Sequence, residues 1–169
     1  MTFIPRYSVV EDQFAKYDVA DANTGAYEAI SGVVVSYTGY DSNAAVTLVK
    51  KTASGTTPRA FLMQSVKHSY ANIPQGFRYR GDIGSTDAFV GDPVGIAHSG
   101  GVFDTDQFDA DSGGTVTAGQ SLYAKVGGRL TNNSSLSVTG SADEVAVARN
   151  NLSADAIAAG KLLRVQILL

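Results

Sequence analysis

The densest group of side chains that could do chemistry is an acidic stretch in the second half of the sequence. It holds four carboxylates within eight residues, namely Asp104, Asp106, Asp109 and Asp111. Ca²⁺ takes several oxygen ligands from closely spaced carboxylates, and Gly113 and Gly114 directly afterwards permit a tight backbone turn. The spacing departs from an EF-hand loop, because Phe108 falls at the wrong position and no acidic twelfth ligand follows. A solvated hairpin tip is therefore the preferred interpretation, no metal site is predicted, and the four aspartates are only weak candidates for metal ligands.

Catalytic chemistry finds little support in the residue pattern. A carboxylate pair could serve a glycosidase, but its two groups must face each other across a cleft, which proximity in sequence cannot establish. The two histidines, His68 and His98, lack the His-x-His and His-x-x-x-His spacings of metal sites. Ser99 follows His98 directly, and adjacent side chains of a strand point apart, so a catalytic triad is not expected. Since the chain also has no cysteine and no Gly-x-Ser-x-Gly motif, we assign no catalytic residue, no cofactor-binding residue and no cofactor, and predict no enzyme activity.

Composition argues against nucleic acid and membranes as partners. The 169 residues carry a formal net charge of -3, and the pI is about 5.2. A basic stretch with aromatic residues could stack single-stranded nucleic acid, but the overall acidic balance opposes it; these aromatics are Phe61, Tyr70, Phe77 and Tyr79. No apolar run approaches the roughly 20 residues that cross a bilayer, and the N-terminus lacks the core of a signal peptide. We therefore expect a soluble chain.

Charge is divided sharply along the chain. Residues 42–81 contain six Lys or Arg and no acid, whereas residues 82–124 contain seven aspartates and no Lys or Arg. The two segments could pair within one fold, could remain as solvated loops, or could meet across a subunit contact, where opposite charge helps set the register.

The elements that position these residues are predicted to be strands. Turn residues recur about every 8–12 positions, which is typical of an all-β sandwich or barrel. We therefore predict an all-β fold, a β-barrel or β-sandwich with Gly-rich hairpins. The predicted strands are residues 27–37, 45–50, 59–66, 94–97, 121–126, 129–131, 144–148 and 162–169.

Local signals complete the predicted organisation. Gly127-Gly128 joins two predicted strands as a hairpin loop. Residues 153–159 form the best helix, with Ser153 as its N-cap and Gly160 as its stop, and at most one or two short helices are expected. Residues 1–25 show little β pattern and are predicted to form an extended N-terminal arm, so that residues 26–169 are a single β-rich domain.

The order of motifs in residues 90–169 resembles the capsid decoration proteins of tailed bacteriophages, also called cement or head-stabilising proteins. Four segments follow one another as they do in that family, and residues 1–89 have no counterpart in it. The segments are residues 91–97 (GDPVGIA), 118–124 (AGQSLYA), 128–131 (GRLT) and 158–165 (AAGKLLRV).

This resemblance implies a structural virion protein on the outer capsid surface. Such a protein would bind the major capsid protein and clamp neighbouring capsomers, most simply as a homo-trimer, and the resemblance implies no catalytic residue. A tail-tube or other tail structural protein is the first alternative. A carbohydrate- or Ca²⁺-binding β-module that uses the four aspartates is the second, and a hydrolase is the third.

Overall fold

The chain has the predicted all-β fold. The structure, a computed structural model, describes residues 3–18, 27–67, 87–109, 114–140 and 143–169. Within those ranges there is a single short α-helix, α1 (Ala154–Ala158), and one 3-10 turn (Ser134–Leu136). No helix in the described residues is long and apolar enough to span a membrane.

Thirteen strands make up the described part of the fold. In chain order they are β1 (Phe3–Tyr17), β2 (Tyr27–Ala29), β3 (Val34–Asp41), β4 (Val46–Lys51), β5 (Ala60–Leu62), β6 (Ser65–Lys67), β7 (Asp87–Phe89), β8 (Pro93–Thr105), β9 (Phe108–Asp109), β10 (Ser121–Ala124), β11 (Leu130–Thr131), β12 (Glu144–Ala148) and β13 (Leu163–Ile167). Strands β2, β6 and β7 form a three-stranded sheet. The other ten form the main sheet, in the order β1-β4-β3-β5-β8-β13-β12-β10-β11-β9.

The pairings in the first half of the main sheet return to their starting strand. β1 lies parallel to β4, and the pairs β4–β3, β3–β5, β5–β8 and β8–β1 are all antiparallel. We call these five strands the strand ring. Alternate side chains from all five meet in one hydrophobic cluster, the ring core, which includes Ala15, Tyr17, Val35, Val49, Ala60, Leu62, Val94 and Ile96.

The rest of the main sheet covers a second hydrophobic cluster, which we call the second core. Strand β13 alternates as an amphipathic strand should: Leu163, Val165 and Ile167 are buried, whereas Arg164 and Gln166 are half-buried. These buried residues join Phe103, Leu122 and Leu130 in the second core.

Strands β3, β5 and β8 form a wall between the two cores. Successive residues of each strand face opposite cores: Val34, Phe61 and Ala97 belong to the second core, and Val35, Leu62 and Ile96 belong to the ring core. Because both faces of the wall are buried, its strands read in the sequence as continuous apolar runs with no alternation.

The described part of the predicted arm is extended, but it belongs to the main sheet. β1 pairs antiparallel with β8 from Phe3↔Thr105 to Lys16↔Pro93. Its first side chain, Phe3, stacks on Phe103 with a centroid separation of 4.2 Å. The expectation of little β pattern in this segment is therefore corrected for β1. Three register shifts along the β1–β8 pair interrupt the two-residue alternation, so the sequence shows no strand period. Residues 1–2 and 19–25 lie outside the described residues.

Two predicted strands are each divided in the structure. Residues 27–37 form β2 and β3, separated by a turn at Ser31-Gly32, and residues 59–66 contribute to β5 and β6. Both divisions occur where the chain passes between the three-stranded sheet and the main sheet. Residues 94–97 are the start of the much longer β8, which continues through Gly100 and Gly101 at φ of +69° and +74°. Consecutive left-handed residues require glycine, and they break the regular pattern of a strand.

The hairpin and helix predictions are confirmed, with a longer hairpin loop. β10 and β11 pair through Tyr123↔Thr131 and Ala124↔Leu130, which leaves five residues rather than two between the strands. Gly127 and Gly128 in this loop have φ of +89° and +84°. The loop also touches the wall, because Val34 N donates a hydrogen bond of 2.7 Å to Gly128 O. In α1, the Ser153 hydroxyl accepts a bond from Ala156 N as the N-cap, and Gly160 follows at φ +72°.

Candidate functional site

The first candidate cation ligand, Asp104, is held by an arginine of the same sheet. Asp104 and Arg164 lie directly opposite each other on β8 and β13. Arg164 Nε lies 2.8 Å from Asp104 Oδ1, and its Nη2 donates to Oδ2 at 3.3 Å. Since the aspartate is buried, this two-bond contact satisfies a carboxylate that would otherwise lose its solvation without compensation.

The other described aspartates of the acidic stretch also contact groups of their own chain. Asp109 Oδ1 lies 3.0 Å from Arg129 Nη1, and its Oδ2 lies 3.6 Å from Lys125 Nζ. Asp106 accepts a bond of 2.7 Å from the Gln107 amide. Among the described residues, no three His, Asp or Glu side chains come together as a metal ion would require. The structure therefore does not assemble Asp104, Asp106 and Asp109 into one site, and Asp111 lies outside the described residues.

Ion pairs between the basic segment and the acidic segment account for only part of the charge division. Of the ion pairs found in the described residues, one joins the basic segment to the acidic one: Lys67 Nζ lies 2.8 Å from Asp87. The hydrogen bond to Asp87 is the largest cause of the raised pKa of Lys67. Asp104 and Asp109 pair instead with cations that follow residue 124.

A second group of polar and aromatic side chains lies at one end of the strand ring, centred on His98. The Tyr37 phenol oxygen lies 3.2 Å from Nδ1 and 3.1 Å from Nε2 of His98, so either ring nitrogen can take part in the hydrogen bond, as the tautomer dictates. The two rings meet edge to face, with centroids 6.0 Å apart. His98 thus contacts a tyrosine, and His68 lies outside the described residues.

Two β-bulges create this contact. In β3, Tyr37 pairs with Val49 and Gly39 with Leu48, which leaves Thr38 as an extra residue. In β8, Ala97 and Ser99 pair with the consecutive residues Asp12 and Glu11, which leaves His98 as an extra residue. Bulges redirect side chains and are frequent beside functional sites, and here one lies on each side of the Tyr37–His98 hydrogen bond.

The bulge at Thr38 also brings a second tyrosine to the same face. Tyr37 lies opposite Val49 and Tyr40 lies opposite Thr47, and these two β4 residues share a face. Without the bulge, residues three apart would point to opposite faces of the sheet. Tyr37 is 41% exposed and Tyr40 is 64% exposed. We call Tyr37, Tyr40 and His98 the aromatic mouth.

Charged groups beside the aromatic mouth are largely engaged within the chain. Lys16 Nζ lies 2.8 Å from Asp41 Oδ2, and this hydrogen bond is the largest cause of the lowered pKa of Asp41. The Thr38 hydroxyl donates to Asp18 at 2.8 Å, which ties the bulge to the end of β1. Partial burial raises the pKa of Tyr37, and the positive charge of Arg59 opposes that shift.

A surface depression of about 540 Å³ lies beside α1. Its two lining amides already serve the backbone: Asn150 Oδ1 accepts from Arg164 N, and Asn151 Oδ1 accepts from Ala118 N, each at 2.8 Å. These bonds hold the connections around the short helix.

Sequence reasoning did not single out the aromatic mouth. It placed Tyr37 at the end of a predicted strand, considered His98 only as a metal ligand or a member of a triad, and did not consider Tyr40. Only strand register brings the three side chains together, and register shifts leave no signature in a single sequence.

Comparisons with known proteins add no family to this description. No protein-family model matches the chain, and no curated protein matches its sequence.

Proposed function

We propose that this protein is a capsid decoration protein of a tailed bacteriophage. It would bind the major capsid protein on the outer surface of the virion and hold neighbouring capsomers together as a homo-trimer. One observation carries the proposal: the four segments of the family resemblance, which are spread over residues 91–165, contribute to strands of one continuous part of the main sheet. These strands are β8, β13, β10 and β11, and only β12 lies among them.

This placement supports the resemblance because the four segments, which follow one another in the sequence, also lie in the same part of the sheet. Residues 91–97 supply the start of β8, residues 118–124 the turn and strand of β10, and residues 158–165 the end of α1 and the start of β13. All four segments contribute buried residues to the second core, such as Ala97, Leu122, Leu130 and Val165.

The open edge of β1 is the proposed attachment site. β1 pairs with β8 along one edge, whereas β4 meets its other edge only at Lys16 and Tyr17. Among the described strands, none pairs with that second edge from Phe3 to Ala15. An extended segment of the capsid protein could add there as a strand, with affinity supplied by main-chain hydrogen bonds.

Deleting residues 1–25 is not a clean test of this attachment, because the deletion would remove Ala15 and Tyr17 from the ring core. A proline substitution at the open edge of β1 is a more specific test. Residues 8 and 9 fall in a register shift between Tyr7↔Val102 and Val10↔Gly100 and have no partner on β8. Val9→Pro should therefore preserve folding, checked by an unchanged melting temperature, while blocking an added strand.

The proposal is tested by producing the chain together with the major capsid protein of the same phage genome and imaging the purified shells by electron cryomicroscopy. We expect extra density on the outer surface, and a trimer by light scattering of the isolated or particle-bound protein. Val9→Pro should reduce occupancy at least about tenfold. Shells without added density would refute the proposal, and rings or tubes of the isolated chain would favour the tail-tube alternative.

A further inference from the structure

We propose that the aromatic mouth is a saccharide-binding platform, separate from the surface that attaches the protein to a capsid. Tyr40 and Tyr37 would stack on sugar rings, and the Tyr37–His98 pair would bond to sugar hydroxyls. The proposal does not depend on the capsid function, because it concerns the isolated chain.

The geometry suits a ligand that has both an apolar face and a polar rim. The negative face of an aromatic ring attracts positively polarised C–H groups, and pyranose rings present such groups on one face and hydroxyls around their edge. Tyr40 offers an open face at 64% exposure, and Tyr37 is held in place by its contact with His98. Preorganised side chains cost less entropy when a ligand binds.

The bulges add a second, independent argument. Thr38 is an extra residue in β3 that costs one regular pairing, and its hydroxyl is fixed to Asp18 at 2.8 Å. The result is that two tyrosines of high exposure lie side by side on one face. Neither ring is needed to fill the ring core, since that core is closed by Val35, Val49 and their neighbours.

The local charge favours a saccharide over a nucleic acid. Single-stranded nucleic acid needs a groove with several cations to follow its phosphates. Beside the aromatic mouth, Lys16 is paired with Asp41 at 2.8 Å, and Arg59 is the cation that acts on Tyr37. In the part of the chain that the structure describes, Arg59 is exposed and can bond to a sugar hydroxyl or to a sugar carboxylate, but one guanidinium does not make the row of cations that phosphates need.

The local hydrophobicity favours a saccharide over a protein. A standard interface buries about 800 Å² on each partner around several apolar anchors. Among the described residues, the other exposed large hydrophobic side chains lie elsewhere: Phe14 points to the opposite face of β1 from buried Ala15, and Val126, Leu136 and Leu168 belong to the C-terminal half. A pair of tyrosines with a histidine is a small platform, sized for one or two sugar rings.

The experiment applies the purified full chain to a printed array of bacterial oligosaccharides, followed by calorimetric titration with the best-bound sugar. Tyr40→Ala should weaken binding at least about tenfold, and Tyr37→Phe, which keeps the ring but removes the hydroxyl, should weaken it about threefold. Phe14→Ala is the matched control, because it removes an exposed ring from the other face of the same sheet, and it should bind like the parent chain. Melting temperatures confirm that all three variants are folded.

Several outcomes would overturn the proposal. The first is that the parent chain binds no sugar on the array more strongly than Tyr40→Ala does. The second is that Tyr40→Ala and Phe14→Ala weaken sugar binding equally. The third is that a 20-nucleotide oligothymidylate binds at the same tyrosines and displaces the sugar. Loss of capsid binding in Tyr40→Ala with no sugar binding by the parent would assign the surface to a protein partner instead. Since no shell is present in the array assay, its failure leaves the decoration proposal standing, and the Val9→Pro result is equally separate.

Discussion

The two cores of this protein are built by different rules. Around the second core, β13 alternates between buried and half-buried residues, and Asp104 and Asp109 pair with Arg164 of β13 and with Arg129 of the hairpin loop. Around the ring core, β1 and β3 carry register shifts, and side chains of high exposure collect at one end. The β10–β12 and β13–β8 pairs around the second core each carry a single register shift, whereas the β1–β8 pair carries three, and the bulges at Thr38 and His98 redirect side chains of the strand ring. The four family-like segments contribute to the second core, and the aromatic mouth lies at one end of the strand ring.

The largest expected effect comes from truncating the wall between the cores. Phe61→Ala removes buried side-chain volume from the second core. Leu62→Ala removes it from the ring core, although the two residues are adjacent. Each should reduce the free energy of unfolding by about 3–4 kcal/mol, since both side chains are fully buried. Urea unfolding measures the loss, and amide NMR shifts should locate each perturbation in a different core. Identical shift patterns would contradict the division into two cores.

A substitution at the contact between the hairpin loop and the wall should reduce the free energy of unfolding by nearly as much. A Cβ on Gly128 would lie 2.6 Å from Val34 O, at a φ of +84°. Gly128→Ala therefore combines a backbone clash with left-handed strain and should cost about 3 kcal/mol. Gly127 has a similar φ of +89° with nothing within 4 Å of the added atom, so Gly127→Ala should cost only about 1 kcal/mol. Equal losses in thermal unfolding of the two variants would show that the contact with Val34 is unimportant.

Substitutions in the acidic stretch should reduce the free energy of unfolding by an intermediate amount. Asp104→Asn replaces a buried carboxylate that accepts two bonds from Arg164 and should cost about 2 kcal/mol. The Asp109 carboxylate is 30% exposed, so Asp109→Asn should cost less than about 1 kcal/mol. Calcium chloride should leave the melting temperature of the parent chain unchanged. A calcium-dependent rise that Asp104→Asn abolishes would restore the cation-site interpretation.

The smallest effect is the pH dependence of the aromatic mouth. Burial raises the pKa of Tyr37 above its ordinary value of 10.0, because the neutral phenol is favoured in the folded state. The stability that Tyr37 contributes is therefore fully present below about pH 10 and is lost as the pH rises through the folded-state pKa. Absorbance at the phenolate band, with Tyr37→Phe as the reference, should show one tyrosine that titrates late. A titration curve unchanged by the substitution would contradict the partly buried position of this ring.

Part of the fold could be predicted because burial on one face leaves a two-residue period. β12 matches residues 144–148, and α1 was recognisable from Ser153 and Gly160 at its ends. β1 could not be predicted, since each register shift inverts the alternation and the segment then looks irregular. The divisions β2/β3 and β5/β6 were equally hidden, because both parts of each apolar run are buried, but in different sheets.

The partners of the candidate site residues could not be predicted either, because they come from distant parts of the chain. Four aspartates in eight residues were interpreted as a solvated loop with a cation site as the weaker alternative, yet β8 and β13 place Arg164 opposite Asp104, and nothing in the local spacing encodes a partner 60 residues away. Tyr37 and His98 are 61 residues apart and meet where β3 and β8 each carry a bulge.

The sequence by itself determined the all-β class, the short helix and its ends, the Gly127-Gly128 hairpin and the order of the four family-like segments. These are properties of local propensity, turn chemistry and periodicity, which act over a few residues. The tertiary structure alone decided the two cores with their shared wall, the inclusion of β1 in the sheet, the pairing of Asp104 and Asp109 with arginines, and the aromatic mouth. Each of these depends on strand register, and register is fixed by burial of whole faces and by bulges between segments distant in the chain.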